Sequence, residues 1–297
     1  MARPTPPQGL HPSMKAKRAV RLILQARLSD ARLHAPGVRT LDEEAVHDMR
    51  VAVRRLRACL AAVDPGRVTK RARRADRSLK SIQDGLGAVR DLQLHLLWLR
   101  RARGAPFQAA RALSKRARVE LRAARAQLLD ALGDWERVGD RRVERAIEGV
   151  APQGRFDRRV ARRALRAPLR ELGATIARLS RAVDPEAAHQ IRILGKKIRY
   201  AAELYEPADR RVLRPVRLGL ERLQGVLGSA QDAHARAERL RASLADASPR
   251  VRRSYEALAR LAEEEEEEAA AAADQELRRW RRERRARRLC ERLEEGS

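Results

Sequence analysis

A histidine followed by three evenly spaced cations occurs twice in this chain. His47, Arg50, Arg54 and Arg57 stand at relative positions 0, 3, 7 and 10, and His189, Arg192, Lys196 and Arg199 repeat that spacing 142 residues later. Successive residues of a helix turn by about 100°, so each set falls on one narrow stripe with about 15 Å of rise. Guanidinium and ammonium groups on such a stripe can make charge-assisted bonds to phosphate oxygens, and each neutralised phosphate releases counterions. Histidine adds a donor that charges when an anion sits beside it. Like charges four apart destabilise a helix by roughly 0.3 kcal/mol per pair, and a bound polyanion is the partner that offsets this.

The elements that position these groups follow from their neighbours. Met49, Val53, Leu56 and Leu60 form an apolar stripe beside the first cationic one, and Ile191, Ile198 and Tyr205 do so beside the second. The cations therefore border a core-facing surface. Both segments read H-x-Φ-R-Φ-x-x-(R/K)-(R/K)-Φ-R, with Φ apolar, and bring Arg55 and Lys197 next to the stripes. Some 35 residues on, a second matched pair appears at an offset of 141: Ile82 to Asp91 against Leu223 to Asp232. Two matched segments in the same order argue for a duplicated unit of roughly 140 residues. We expect a single domain over residues 10–293, with one repeat unit at about 10–150 and the other at about 155–293.

Breaker residues give helices near 14–34, 42–62, 66–86, 89–103, 107–132, 137–148, 157–182, 185–205, 208–227, 230–246 and 249–293. Their punctuation is Pro36-Gly37, Asp64-Pro65-Gly66, Gly104 to Pro106, Gly149 to Gly154, Asp184-Pro185, Glu206-Pro207 and Ser248-Pro249. Short connections imply antiparallel neighbours, hence an all-α, up-and-down bundle in each unit. Three further basic stripes lie on these helices: Lys15, Arg18 and Arg21; Lys70, Arg73, Arg77 and Lys80; and Arg159, Arg163, Arg166 and Arg170. Arg211 and Arg214 match the beginning of the second of these, whereas Leu218 and Glu221 stand where its last two cations would be.

Composition supports this class. The 297 residues carry 67 Lys+Arg against 40 Asp+Glu, a net charge of +27, with 3% aromatics and 43% hydrophobic residues. Such an imbalance suits a polyanion as partner. The charge divides into +17 for residues 1–150 (33 basic, 16 acidic), +11 for 151–250 (22 and 11) and −1 for 251–297 (12 and 13). The RRWRRERRARR tail, Arg278 to Arg288, is thus cancelled by acidic residues that include Glu263 to Glu268. Sixty of the 67 cations are Arg, so an isolated Arg carries little information. Cys59 and Cys290 belong to no CxxC or Cys/His cluster, which points to neither disulfides nor a metal. No apolar run suits a signal peptide or a membrane span, so a cytoplasmic protein without membrane contact is expected.

The two H-x-x-R-x-x-x-(R/K)-(R/K)-x-R helices, each followed by L-G-x-x-(R/Q)-D at Leu86 to Asp91 and Leu227 to Asp232, resemble the CHAD family, the conserved histidine α-helical domain. Lys196 to Leu204 is similar to that family's K-(R/K)-x-R-Y-x-x-E-x pattern. The resemblance covers about residues 10–290. It implies two four-helix bundles related by pseudo-two-fold symmetry, and a basic surface and cavity that bind inorganic polyphosphate, with localisation at polyphosphate granules. The ligands it implies are His47, Arg50, Arg54, Arg57 and Lys80 from the first unit and His189, Arg192, Lys196 and Arg199 from the second. Arg55, Lys197 and Tyr200 stand adjacent, and Lys15, Arg18, Lys70, Arg73, Arg77, Arg163, Arg166 and Arg214 form an outer set. Some relatives carry a triphosphate-hydrolysing CYTH domain marked by ExExK. No lysine here completes that motif, which leaves a stand-alone binding module without cofactor or catalytic residues.

A histone-like or RNA-associated role is the alternative. Single-strand binders interleave aromatics with cations, and the duplicated helices offer only Tyr200, although duplex binding through phosphates alone needs none. Enzymatic readings lack support: Gly195-Lys196-Lys197 has neither the upstream Gly nor the hydroxyl of a P-loop, and no carboxylate cluster suggests a two-metal site. Asp91 and Asp232 read as helix-end or ion-pair residues, and His95 and His234 as packing residues. The Glu tract reads as a solvated helix face, or as an internal competitor for the basic site.

Overall fold

The computed structural model describes residues 4–11, 14–63, 69–102, 104, 106–179, 185–245 and 247–295. Asp64-Pro65-Gly66, Asp184 and the ends of the expected helices at 66, 103 and 180–182 lie outside the described residues. Among the described residues the chain is all-helical, with one isolated bridge between Lys15 and Arg155 and no strand. No described helix is long and apolar enough to cross a membrane. Two compact units are present. One comprises residues 1–98 and 114–157, the other residues 99–113 and 158–297.

In the first unit, α1 (Ala16–Arg39) buries Ala16, Ala19, Val20, Ile23, Leu24, Leu28 and Ala31, the 3-and-4 spacing of an amphipathic helix. It enters its helix strapped to a later segment, with Ala16 N–H donating to Gly154 C=O (2.9 Å) and Phe156 N–H to Met14 C=O (2.8 Å). Pro36 falls in the last turn of α1 and does not end it. Gly37 is required by proximity: a Cβ there would lie 2.5 Å from the Ala45 Cβ at the start of α2 (Glu43–Val63). Asp42 caps α2 by accepting from Ala45 N–H at 2.7 Å, and Thr69 caps α3 (Lys70–Leu99) by accepting from Ala72 N–H at 3.1 Å. Then follow α4 (Phe107–Asp134), a π-helical turn at Trp135–Gly139 around the buried Trp135, and α5 (Asp140–Gly149). The first turns of α4 belong to the second unit, where Ala109 N–H donates to Ser254 Oγ at 2.9 Å.

The second unit continues with α6 (Arg158–Ala177), α7 (Pro185–Tyr205), α8 (Arg210–Ala245), α9 (Arg252–Arg282) and α10 (Arg285–Glu294). Helix α8 packs on α7 and α9, and α6 packs on α7 and α10. Leu165, Leu169, Leu172 and Ile176 of α6, with Leu258, Leu277, Trp280 and Leu293 of α9 and α10, are buried.

Helix α1 runs through the expected Pro36-Gly37 turn to Arg39, α4 continues into α5 through the π-helical turn, and three larger features differ from the sequence reading. The expected helices at 66–86 and 89–103 are one helix, α3, and those at 208–227 and 230–246 are one helix, α8. A glycine inside a helix costs only about 1 kcal/mol relative to Ala, and here Gly85 serves a close contact within a continuous helix. A Cβ on Gly85 would meet Leu128 of α4 at 3.3 Å, and one on Gly87 would lie 3.9 Å from Arg50 Nε. The L-G-x-x-(R/Q)-D segments are therefore mid-helix surfaces and not turns. Conversely, the expected helix over 249–293 is broken at Arg284, whose backbone is left-handed (φ 47°, ψ 40°) with no Gly or Pro to announce it. That conformation costs roughly 1–2 kcal/mol for an L-residue. Burial of Ala286, Cys290 and Leu293 offsets it, as α10 turns back onto α6 and brings Ala286 to 3.1 Å from where a Gly173 Cβ would stand.

Candidate functional site

Helix α2 carries its two stripes as the spacing requires. Met49, Val53 and Leu56 are fully buried, while His47, Arg50, Arg54 and Arg57 sit half-buried along the core's edge. Arg50 lies over Gly87 and pairs with Asp91 of α3 at 3.6 Å, and Arg57 Nε donates to Asp76 of α3 at 2.6 Å. Lys80, exposed on α3, pairs with Asp84 one turn on at 2.6 Å. Lys70, Arg73 and Arg77 are exposed on the same helix, as are Lys15 and Arg18 at the beginning of α1. Arg55 is buried at 6% exposure, among the packed positions of α2.

His47 is the most unusual group of this set. Its Nδ1 is closed off from solvent without a hydrogen-bond partner, and its pKa is pushed below the ordinary 6.5, first by burial and then by the charge of Arg90. Arg90 therefore belongs with the His47 stripe although it stands on α3. A second feature extends over the unit. Arg21 on α1, Arg54 on α2, Arg90 on α3 and Arg125 on α4 each hold a guanidinium Nε that solvent does not reach and that no protein acceptor satisfies. Such a group costs about 1–3 kcal/mol when left unmade. Arg55 Nε is closed off from solvent in the same way, and buried donors of this kind are ones that an ordered water or a ligand can satisfy.

In the second unit, α7 places His189, Arg192 and Lys196 half-buried and Lys197 exposed. Arg192 Nε is again solvent-inaccessible and unpartnered. Arg199 is buried and lies over the Tyr200 ring, 4.4 Å from its centroid, so that this ring is engaged by its own neighbour. Arg163 and Arg214 are exposed, while Arg166 reaches Glu294 at 3.7 Å. Of the residues read as packing groups, His95 is buried and stacked on Trp98 (6.5 Å between centroids), and His234 Nδ1 pairs with Glu266 at 2.6 Å.

Of Glu263 to Glu268 on α9, Glu263, Glu265 and Glu266 pair with α8, while Glu264, Glu267 and Glu268 are exposed. Glu266 accepts from Arg241 at 2.6 Å, Glu263 from Arg241 at 3.2 Å, and Glu265 pairs with Arg236. The tract is an interhelical ion-pair strip, and its cations are none of those singled out in the sequence. Among the described residues no group of three or more His, Cys, Asp or Glu is placed to hold a metal ion.

Sequence reading missed Arg90 and Arg125 as site residues and gave Arg21 no special weight. Arg90 occupies the Arg of the first L-G-x-x-R-D segment, a usable signal. Arg125 lies between Ala124 and Leu128 on the buried side of α4 and is indistinguishable by sequence from 59 other arginines.

The CHAD domain family model matches residues 22–241, which contain both histidine-led helices and both glycine-bearing ones. The chain belongs to the CHAD domain family. A crystal structure of the CHAD domain from the plant Ricinus communis superposes with a TM-score of 0.65 at 23% identity, covering 99% of this chain and 98% of that one. PptA from Streptomyces chartreusis gives a TM-score of 0.69 at 18% identity over 90% of this chain and 100% of its own. At such identities both likenesses speak to the fold. No curated protein matches the CHAD chain.

Proposed function

We propose that this CHAD protein is a non-enzymatic binder of inorganic polyphosphate that associates with polyphosphate granules. The observation that carries the reading is the set of unmet guanidinium Nε groups on α1 to α4 of the first unit. Each belongs to a half-buried arginine whose guanidinium can donate to a phosphate oxygen, and a chain of phosphates without bases needs no aromatic platform. His47, Arg50, Arg54 and Arg57 form the first row of contacts, extended by Arg90, Arg21 and Arg125. His189, Arg192, Lys196 and Arg199 form the corresponding row of the second unit. Lys80, Lys197 and the exposed cations of α1, α3, α6 and α8 supply outer contacts. The two units descend in this reading from one duplicated four-helix bundle. Helices α2 and α7 support it, both 21 residues long and offset by 142 at each end.

Competition tests the reading. Long-chain polyphosphate is expected to displace duplex DNA from the protein at equal phosphate concentration and 0.15 M salt, followed by anisotropy of labelled DNA. The reverse order of affinity would establish the nucleic-acid role instead.

His47 adds a pH dependence whose sign is fixed by the geometry. In the free protein its pKa lies below 6.5, so the unfolded chain binds more protons there; the stability this neutral His47 contributes is present above pH 6.5 and is lost as pH falls toward the folded pKa. A phosphate beside the half-buried imidazole raises the pKa, because the anion favours imidazolium. Affinity is then flat above the bound-state pKa, rises as pH falls through it and levels off below the free-state pKa. We expect a several-fold rise between pH 7.5 and 5.5, much reduced in His47→Gln. An equal rise in that variant would remove His47 from the site.

A further inference from the structure

The second unit contains a cavity of about 680 Å³ bounded by α6, α9 and α10, whose lining includes no residue of the two histidine-led rows. That volume is of the size that takes small ligands. Its floor is apolar, with Leu169, Ile176, Trp280 and Cys290 on it. The one hydrogen-bonding group of Trp280 is already committed, Nε1 donating to Glu276 at 3.0 Å, and burial keeps the Cys290 thiol protonated by raising its pKa. A nucleobase edge or a bare phosphate chain would find no polar partner on this floor. Hydrocarbon would.

The rim is the opposite. Arg170, Arg281, Arg284 and Arg287 line it against Glu291 and Glu294. The carboxylates are taken up locally, Glu294 by Arg170 (2.6 Å) and Glu291 by Arg287 (2.8 Å). Arg281 spends one Nη on the Leu179 carbonyl (3.0 Å) and keeps its other donors. Arg284 has no side-chain partner among the described residues, and it is the residue held in the left-handed conformation. Backbone strain at an unpaired cation on a cavity rim is the kind of outlier that ligand sites retain.

The geometry points to a site for amphiphilic anions: molecules with an apolar chain or ring for the floor and a terminal carboxylate or phosphate monoester for the forked donors of Arg281 and Arg284. The apolar body supplies burial energy that inorganic phosphate lacks, and the head supplies what a neutral amphiphile lacks.

The test uses the full chain and three probes below their micellar concentrations at 0.15 M salt: dodecyl phosphate, inorganic phosphate and dodecyl maltoside. Calorimetry is expected to show one-to-one binding of dodecyl phosphate at least tenfold tighter than either of the others. Arg284→Gly removes the cation and relaxes the left-handed backbone, so it is expected to weaken dodecyl phosphate about tenfold with Tm no lower than that of the wild type. Ala174→Trp fills the cavity from an exposed lining position and is expected to weaken it similarly. Polyphosphate affinity should stay within twofold in both variants, which separates this site from the one proposed above. Binding of dodecyl phosphate unchanged in both variants would show adsorption to a surface of charge +27 and overturn the assignment. So would equal affinity for inorganic phosphate or for dodecyl maltoside, or no binding at all.

Discussion

Replacing Arg54, Arg90 and Arg125 together by Met will lower polyphosphate affinity at least a hundredfold and leave Tm unchanged or slightly raised. Each guanidinium Nε is out of reach of solvent and lacks an acceptor in the protein. A hydrogen bond to a charged group contributes about 1.5–3 kcal/mol, and each 1.4 kcal/mol is a factor of ten, so even with incomplete additivity three contacts exceed two decades. Methionine keeps much of the buried aliphatic stem and deletes the donor. The stability expectation follows from the same geometry: an unmet donor is a cost in the free protein, and removing it relieves that cost. The salt dependence gives an independent readout. Each phosphate contact contributes about 0.7 to the slope of log affinity against log salt for a single-stranded polyanion, so the triple variant should flatten that slope by about 2. If these arginines instead held the helices together, Tm would fall by several degrees while affinity and salt slope of the folded protein stayed as they were. Circular dichroism melts and calorimetric titrations at three salt concentrations decide between the two.

The contrast between Arg54 and its neighbour Arg55 shows what the sequence could and could not reveal. Period 3.6 placed Met49, Val53 and Leu56 in the core and the cationic stripe at its edge, because both follow from helix geometry alone. It could not distinguish the two arginines energetically, since that depends on what lies opposite. Arg50 lies over Gly87 on α3, Asp91 takes part of its charge, and Arg90 acts on His47 across the same helix pair. These are contacts between residues some 40 apart. The glycine segments misled for a related reason. A glycine that ends a helix and one that admits a neighbour look alike in sequence, and only the partner, Leu128 in the case of Gly85, tells them apart. At Arg284 the failure was the reverse. The break is imposed by the packing of α10 on α6 and has no local signal.

Arg162 shows the converse role for an arginine, and its loss should produce the mirror image of the first result. It is buried on α6, donates from Nε to Asp209 at 2.6 Å and from Nη1 to the Glu295 carbonyl beyond α10. Asp209 precedes α8, accepts Leu213 N–H at its own carbonyl (2.9 Å), and has a side chain only 9% exposed. One guanidinium thus fastens α6, the beginning of α8 and the end of α10. Arg162→Met strands the Asp209 carboxylate, and breaking a buried pair in this way costs about 3–5 kcal/mol. In urea the midpoint for the second unit should fall accordingly, while polyphosphate affinity of the protein that remains folded stays within twofold. The double replacement Arg162→Met with Asp209→Leu should recover most of the loss, because two apolar side chains of similar size leave no buried charge behind. A double variant no more stable than the single one would mean that Arg162 acts through the Glu295 carbonyl and not through Asp209. Arg162 is thus an arginine whose acceptors lie in the protein, and its part is to hold three helices together.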